Sequence, residues 1–284
     1  MNKVGFIGVG IMGKSMVRNL MKAGFELHIY ARTKSKVEDV IGEGAQFHES
    51  IKDCVQDCDA VITIVGFPQD VEEVYFDEGN ILDSAKKGAY LIDMTTTSPQ
   101  IAEKIYEEGT KRGFHVMDAP VTGGDTGAKA GTLSILVGGG KEDYEACMPL
   151  FEAMGTNINY QGKAGCGQHC KLANQIMIAG TLSGVCEALT YAKEQGLDPE
   201  VFMKSVATGA AGSKQLDTFG PKILKDDYAP GFFMKHFIKD MKLALIEANR
   251  KGLSLDVLSM VLANYEELEQ EGYGDLGTQA LMKF

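Results

Sequence analysis

The sequence predicts an α/β domain built on a doubly wound parallel sheet, followed by an all-α C-terminal domain. Up to about residue 160, short apolar runs alternate with amphipathic stretches, which is the rhythm of successive βαβ units. Beyond that point the strand signals stop and only helical periodicities follow. We therefore predict a first domain over residues 1–162 and a second over 163–284, with a long linking helix over about 165–193.

The predicted strands are short, rich in Val, Ile and Leu, and not alternating, as expected for parallel strands covered on both faces. They span residues 4–7, 27–30, 60–65, 90–93, 115–117 and 133–137. Helices are predicted between them, and glycines stand where helices would end, at Gly24, Gly88 and Gly113. The helical segments of the second domain are 185–195, 199–206, 238–251 and 256–270, with a loop of small residues over 208–213.

Composition and charge narrow the possible partners. The net charge of −11 argues against nucleic acid and against anionic membrane surfaces. The six cysteines lack the spacing and the paired histidines of a zinc site, so we expect free thiols, no metal and a cytoplasmic location. Residues 172–192 are apolar enough to suggest a membrane span, but Asn174, Gln175 and Glu187 interrupt them, which favours a helix buried inside the protein.

A glycine pattern follows the first predicted strand and begins the first helix. Gly8, Gly10 and Gly13 have the spacing of a dinucleotide-binding loop. In such a loop the first glycine permits a tight turn, the second lets the backbone approach a pyrophosphate, and the third lets helix and strand pack closely. The helix N-terminus adds a partial positive charge. The first domain is therefore predicted to be of the Rossmann type.

The end of the second predicted strand indicates which dinucleotide is bound. Arg32 and Lys34 lie there, and no acid occurs between them and Glu38. An acid at this position binds the ribose 2′-hydroxyl of NAD, whereas an arginine accommodates the 2′-phosphate of NADP. We therefore predict NADP rather than NAD, with the alternative that both basic residues only decorate a solvated turn.

Hydroxyl residues follow the fourth predicted strand, at the edge of the sheet where ligands bind in this architecture. Thr97 or Ser98 is expected to cap the next helix, with Pro99 at its first position. Thr95 and Thr96 are then left to meet the ribose or the nicotinamide.

Two further groups indicate a reaction. The turn of Thr122, Gly123 and Gly124 can present backbone N–H groups to a carboxylate. Lys171, on a later helix, can protonate an oxygen that gains charge when a hydride is delivered to its carbon. Asn174 lies one helical turn after Lys171 on the same face and can bind the substrate beside it.

These motifs together resemble the β-hydroxyacid dehydrogenase family, which includes 3-hydroxyisobutyrate dehydrogenases, tartronate semialdehyde reductases, and glyoxylate and succinate semialdehyde reductases. The resemblance covers essentially the whole chain and rests on residues 5–13, 118–124, 167–174 and 239–240. It implies a C-terminal domain like that of 6-phosphogluconate dehydrogenase and a homodimer or homotetramer formed through the helical half.

The resemblance also assigns roles to single residues. It implies that Lys171 is the catalytic acid/base, that residues 122–124 cradle the substrate carboxylate, and that Lys239 closes over the cofactor. The family more often has serine at position 122, where threonine keeps the hydroxyl.

The sequence thus predicts an NADP-dependent oxidoreductase that acts on the CH–OH group of a small β-hydroxyacid, or on the matching semialdehyde, with a carboxylate on the substrate. The predicted cofactor-binding residues are Gly8, Gly10, Ile11, Met12, Gly13, Arg32, Thr33, Val65, Thr95, Thr96 and Lys239. The predicted substrate-binding residues are Thr122, Gly123, Gly124, Lys171, Asn174 and Ser213.

Two alternatives remain open at this point. One is an NAD-linked 3-hydroxyisobutyrate dehydrogenase that works in the oxidative direction. The other is a non-catalytic nucleotide-binding module, which would have no need for Lys171 and Asn174 together with the glycine turn. His169 and His236 are not assigned a role, and the other histidines have no nearby acid in a recognisable catalytic arrangement.

Overall fold

The computed structural model describes residues 1–284, which divide into two compact units, Met1–Lys171 and Leu172–Phe284. The first unit is a nine-stranded sheet with helices, and the second contains helices and no β-strand. The predicted fold class, a Rossmann-type sheet followed by a helical domain, is confirmed. The sequence placed the boundary near residue 162, whereas the first turn of the long helix belongs with the sheet, because Gln168 hydrogen-bonds to the backbone of residues in the sheet unit.

Six strands of the sheet unit run parallel, in the spatial order β3-β2-β1-β4-β5-β6. β8 then runs antiparallel to β6 and β7, which pair with successive parts of the same edge, and its other edge pairs in parallel with β9. The strands are β1 (Lys3–Ile7), β2 (Glu26–Tyr30), β3 (Gln46–Phe47), β4 (Ala60–Thr63), β5 (Tyr90–Asp93), β6 (His115–Asp118), β7 (Val121–Thr122), β8 (Leu133–Gly139) and β9 (Gly155–Gly162).

Both faces of this sheet are covered, which is why its central strands read as unbroken apolar runs. Phe6 belongs to the hydrophobic cluster on one face, and Ile7, the next residue of β1, belongs to the cluster on the other. The sequence missed β3 and β7, which are two residues long, and β9, whose Asn157 and Asn159 leave no apolar run.

The helices of the sheet unit lie between the strands, as the alternating pattern predicts. Ser98 caps α6 through its hydroxyl, which accepts the N–H of Gln100 at 3.2 Å, and Pro99 is the first helical residue, as expected. The helices are α1 (Ile11–Lys22), α2 (Glu38–Gly42), α3 (Ile51–Val55), α4 (Pro68–Phe76), α5 (Ile81–Ser84), α6 (Pro99–Lys111), α7 (Gly124–Ala130), α8 (Lys141–Ala146) and α9 (Met148–Met154).

The second unit packs its helices around one apolar core that includes Leu182, Phe237 and Tyr265. The sequence missed α12, because Pro221 lies inside it and the preceding small residues read as a loop. Its helices are α10 (Cys166–Glu194), which begins in the sheet unit, α11 (Pro199–Val206), α12 (Lys214–Ile223), α13 (Met234–Arg250) and α14 (Asp256–Leu268).

Helix α10 is also long and apolar enough, by length and composition, to cross a membrane. Its polar residue Gln175 is nevertheless buried and donates to Asp240 Oδ2 on α13 at 2.7 Å. Leu182 and Leu189 of the same helix lie in the core of the helical unit. These contacts are those of a core helix, in keeping with the interrupted apolar pattern of the sequence.

Candidate active site

The three motif glycines occupy the loop from β1 into α1, and two of them are required by the packing of the protein itself. Gly8 has φ 98°, and a Cβ there would collide with the carbonyl oxygen of Ile64. A Cβ on Gly13 would collide with the carbonyl of Gly8, so helix and strand can approach only without a side chain. A Cβ on Gly10, by contrast, would meet nothing within 4 Å. The space above Gly10 is therefore open to a ligand.

The start of α1 suits an anion. Gly10, the N-cap residue, offers no side chain to the first backbone N–H groups, and the first turn carries no acidic residue. Ile11, Met12 and Gly13 form that turn, where the helix dipole is positive. The open space and the uncapped helix end fit the pyrophosphate of a dinucleotide.

The basic residues after β2 each have an acid partner. Arg32 Nη1 lies 3.1 Å from Asp70 Oδ1, and Lys34 Nζ lies 3.2 Å from Glu49 Oε1. The side chain of Arg32 is 73% exposed, so its guanidinium is available to solvent and to a ligand. Thr33, between the two, is also exposed. Local sequence patterns do not point to Asp70 at this site, because the residue belongs to α4.

Buried hydroxyl and carboxyl groups lie beneath the carboxyl ends of β4 and β5. The hydroxyl of Thr63 donates to Asp93 Oδ1 at 2.8 Å, and the hydroxyl of Thr95 accepts the N–H of Val65 at 3.0 Å. Burial raises the pKa of Asp93 to about 6, although hydrogen bonds from Thr95 and Thr63 oppose the shift. Thr95 is 1% exposed, and its hydroxyl holds the backbone of Val65 in the loop after β4. Thr96 is half-buried. Their contact with a cofactor stays a prediction.

Asp118, at the end of β6, fixes the start of α10. Its Oδ1 accepts the N–H of Gly165 and its Oδ2 accepts the N–H of Gln168, both at 2.8 Å. Burial raises the pKa of Asp118, and these backbone hydrogen bonds partly offset that effect. A Cβ on Gly167 would lie 2.7 Å from Asp118 Oδ2, so the close approach of helix and strand requires glycine there.

Gln168 makes a second attachment of the same turn. Its side-chain oxygen accepts the N–H of Thr97 at 3.0 Å, and its amide nitrogen donates to the carbonyl of Thr95 at 2.8 Å. The first turn of α10 is thus hydrogen-bonded to the chain after β5 and to the end of β6. Lys171 follows within one helical turn and is 7% exposed.

The predicted carboxylate cradle has an unusual backbone. Gly123 and Gly124 have φ values of 133° and 64°, which favour glycine, and both are exposed. Gly124 is the first residue of α7, and the N-cap Gly123 provides no capping side chain. Asp125 follows, with Lys129 Nζ 3.1 Å from its carboxylate. Thr122 ends β7 and is half-buried.

The predicted residues of the helical unit include a chain of polar contacts. Asn174 Nδ2 donates to Gln175 Oε1 at 2.8 Å, and Gln175 Nε2 donates to Asp240 Oδ2 at 2.7 Å. Lys239 Nζ lies 3.0 Å from Asp240 Oδ1. Two predicted ligand-binding residues, Asn174 and Lys239, are thereby linked through a buried Gln–Asp pair that sequence reasoning did not identify.

Ser213 has a structural role in this unit. Its hydroxyl accepts the N–H of Leu216 at 3.1 Å and so caps α12. It also lines a cavity of about 330 Å³, together with Gly180 and Thr181 of α10 and Phe202 of α11. Its contact with a substrate stays a prediction.

Two histidines to which the sequence assigned no role have acid partners. His28 Nε2 lies 3.1 Å from Glu26 Oε1, and His115 Nδ1 lies 2.7 Å from Asp143 Oδ1. Residues 26 and 28 share one face of β2, because side chains alternate along a strand. The contact of His28 with Glu26 could therefore have been predicted from the sequence. His169 is exposed on α10.

Comparison with known proteins shows to which family the chain belongs. Residues 3–162 match the profile described as the NAD-binding domain of 6-phosphogluconate dehydrogenase. Residues 165–284 match the profile described as the NAD-binding domain of NADP-dependent 3-hydroxyisobutyrate dehydrogenase. The chain belongs to the β-hydroxyacid dehydrogenase family. The second profile refers to dehydrogenases of the 3-hydroxyisobutyrate type, which are oxidoreductases with a nicotinamide cofactor. Its family membership makes this chain an oxidoreductase of the same kind.

Individual relatives resemble the chain over almost its full length. An uncharacterised oxidoreductase of Bacillus subtilis is 49% identical over 280 residues, covering 99% of this chain and 97% of the relative. The 2-hydroxy-3-oxopropionate reductase of Escherichia coli is 35% identical over 281 residues, covering 99% and 96%. The structure of a Mycobacterium tuberculosis 3-hydroxyisobutyrate dehydrogenase with L-serine superposes with a TM-score of 0.90 at 26% identity, covering 100% and 98%.

Proposed function

We propose that this β-hydroxyacid dehydrogenase transfers a hydride between NADP(H) and a small β-hydroxyacid or semialdehyde that carries a carboxylate, with Lys171 as the general acid/base. The observation that carries the proposal is the anchoring of α10. Asp118 and Gln168 tie its first turn to the carboxyl edge of the sheet, the edge at which ligands bind in this architecture. Lys171 lies within one turn of those anchors and is almost completely buried.

A lysine in that setting suits the chemistry. The bound nicotinamide supplies or accepts the hydride. In the reductive direction, negative charge develops on the substrate oxygen, and the ammonium of Lys171 can stabilise it and then give it a proton. In the oxidative direction the neutral amine takes the proton back. Asn174, on the same face of α10, can hold the substrate beside the lysine.

The carboxylate specificity rests on the glycine turn. Exposed Gly123 and Gly124 have no side chains to shield their backbone N–H groups, and the hydroxyl of Thr122 can add a hydrogen bond. Asp125 adds a negative charge nearby that Lys129 offsets.

NADP is supported by the exposed guanidinium of Arg32 after β2. One observation favours NAD as the second candidate. The carboxylate of Asp70 lies 3.1 Å from Arg32 Nη1, so an acid that could accept a ribose hydroxyl lies beside the tip of that side chain.

Assembly as a homodimer or homotetramer through the helical unit is part of the proposal. Nine of the twelve exposed large apolar side chains belong to residues 172–284, among them Met177, Val257 and Met260. A contact surface between copies of the chain would bury such side chains where they are contiguous. Sedimentation at low and high protein concentration tests it, and a monomer throughout contradicts it.

The experiment that tests the activity follows the oxidation of NADPH by a panel of short semialdehydes. Each semialdehyde is paired with the amide of the same compound, which lacks the carboxylate charge. We expect turnover of at least one semialdehyde and a far higher KM for its amide. A protein that binds NADPH but oxidises it with no member of the panel would be a binding module, and the proposal would be wrong.

A further inference from the structure

One ion pair joins the chain segments that follow β2 and β4. It connects Arg32 Nη1 with Asp70 Oδ1 at 3.1 Å. Strands β2 and β4 lie on either side of β1 in the sheet, so the pair crosses above the carboxyl end of β1, where the loop of Gly8 begins. The ion pair therefore lies at the nucleotide-binding edge rather than on a remote surface.

Asp70 is fixed by its surroundings more than Arg32 is. The side chain of Asp70 is 16% exposed, and its second oxygen accepts the N–H of Phe67 at 2.9 Å at the start of α4. The side chain of Arg32 is 73% exposed and approaches that carboxylate through Nη1. Exposed ion pairs of this kind add little to stability, so a ligand can draw the guanidinium away. The carboxylate, in contrast, remains in place.

We infer that Asp70 is a specificity-determining residue that limits the preference of this site for NADP over NAD. This inference deepens the proposed function and rests on it. The carboxylate occupies one N–H donor of Arg32 and places a negative charge close to any phosphate that Arg32 binds. A 2′-phosphate is repelled by that charge, whereas the 2′-hydroxyl of NAD is neutral and can donate a hydrogen bond to a carboxylate. Asp70 therefore penalises NADP and leaves NAD unaffected or favoured.

The substitution Asp70→Asn separates the charge from the shape of the side chain. Asparagine keeps an oxygen that can accept the N–H of Phe67, so the start of α4 is preserved. Glu72→Gln is the matched control, because it removes one negative charge from the same helix at an exposed pair with Lys104, 3.2 Å away. Dissociation constants of NADPH and NADH are measured for the intact protein by titrating the fluorescence of the reduced nicotinamide.

We expect Asp70→Asn to tighten NADPH binding by about three- to tenfold, the size expected for a partly screened charge at this distance. NADH binding should stay within about twofold or weaken, and Glu72→Gln should change neither constant. An unchanged ratio of the two constants in Asp70→Asn, or weaker binding of NADPH, overturns the inference.

Arg32→Ala, measured in parallel, distinguishes this failure from failure of the proposed function. If Arg32→Ala weakens NADPH and Asp70→Asn changes nothing, only the role of Asp70 is wrong. If Arg32→Ala leaves NADPH binding unchanged, the NADP assignment falls and the inference falls with it. Should Asp70→Asn fail to fold, Asp70→Ser, which keeps a hydroxyl acceptor without the charge, must give the same gain for the inference to stand.

Discussion

The two ends of the ligand-binding edge of the sheet are built differently. At the end near β2, the ion pair of Arg32 with Asp70 has an exposed member, the guanidinium of Arg32. At the end near β6, polar groups are buried and hydrogen-bonded on several sides, as Asp118 and Gln168 are. Exposed pairs can exchange partners at little cost, whereas a buried group that loses a partner is left desolvated. We therefore expect the first end to tolerate change and the second to resist it.

The largest stability effect should come from Asp118→Ala. The variant loses two charge-assisted hydrogen bonds and leaves the N–H groups of Gly165 and Gln168 without their acceptor. At roughly 1.5–3 kcal/mol for each such bond, the free energy of unfolding should fall by about 4 kcal/mol. Urea denaturation measures it.

Asp83→Ala is the exposed counterpart, since Asp83 also accepts a backbone N–H, that of Gly79, and pairs with Arg112. Its cost should be about 1 kcal/mol or less. Equal losses in the two variants would mean that burial does not decide how much such a carboxylate contributes to stability.

The second effect concerns the pH dependence caused by Asp93. Burial raises the pKa of this carboxyl to about 6, above the value of an exposed aspartate. The protonated form is therefore favoured in the folded state, and the stability it provides is present at low pH and lost as the pH rises through about 6. Asp93→Asn removes this loss. The variant should gain up to about 3 kcal/mol relative to the parent between roughly pH 4 and 7, at 1.36 kcal/mol for each pKa unit.

The comparison uses the free energy of unfolding of both proteins across that range. A constant difference between them would mean that Asp93 does not titrate in this window.

A smaller effect is expected for Arg32→Asp at the exposed end. The variant loses a charge-assisted hydrogen bond to the 2′-phosphate, worth roughly 1.5–3 kcal/mol, so NADPH should bind about ten- to a hundredfold more weakly. NADH binding should hold or improve, and thermal stability should be unchanged. A parent protein that already prefers NADH would contradict the assignment of Arg32.

Features that depend on neighbours in the chain could be predicted from the sequence. The sheet, its parallel strands and the glycine loop follow from local patterns, because the periodicity and the spacing of Gly8, Gly10 and Gly13 depend only on neighbours in the chain. Lys171 and Asn174 could be predicted as site residues for the same reason, since their spacing places them on a shared helix face.

The supporting residues were not found, because their roles depend on contacts between distant segments. Asp118 lies inside a recognised motif, but nothing local shows that it accepts N–H groups from the start of α10. The roles of Gln168 and Asp70 are likewise not visible in the sequence, because their partners come close only in the folded chain. Asp70 matters most here, because no acid directly follows β2 in the sequence, yet this acid of α4 contacts the guanidinium of Arg32.

The central claim is that Lys171 moves the proton that accompanies hydride transfer. The direct test is the single-turnover rate of NADPH oxidation by Lys171→Ala with the best semialdehyde, alongside Lys193→Ala near the other end of α10 as control. We predict that the Lys171 variant loses on the order of 10²–10⁴ in rate, the usual contribution of a positioned acid/base, while NADPH binding and the control rate stay unchanged. A rate for Lys171→Ala within about threefold of the parent would contradict the claim.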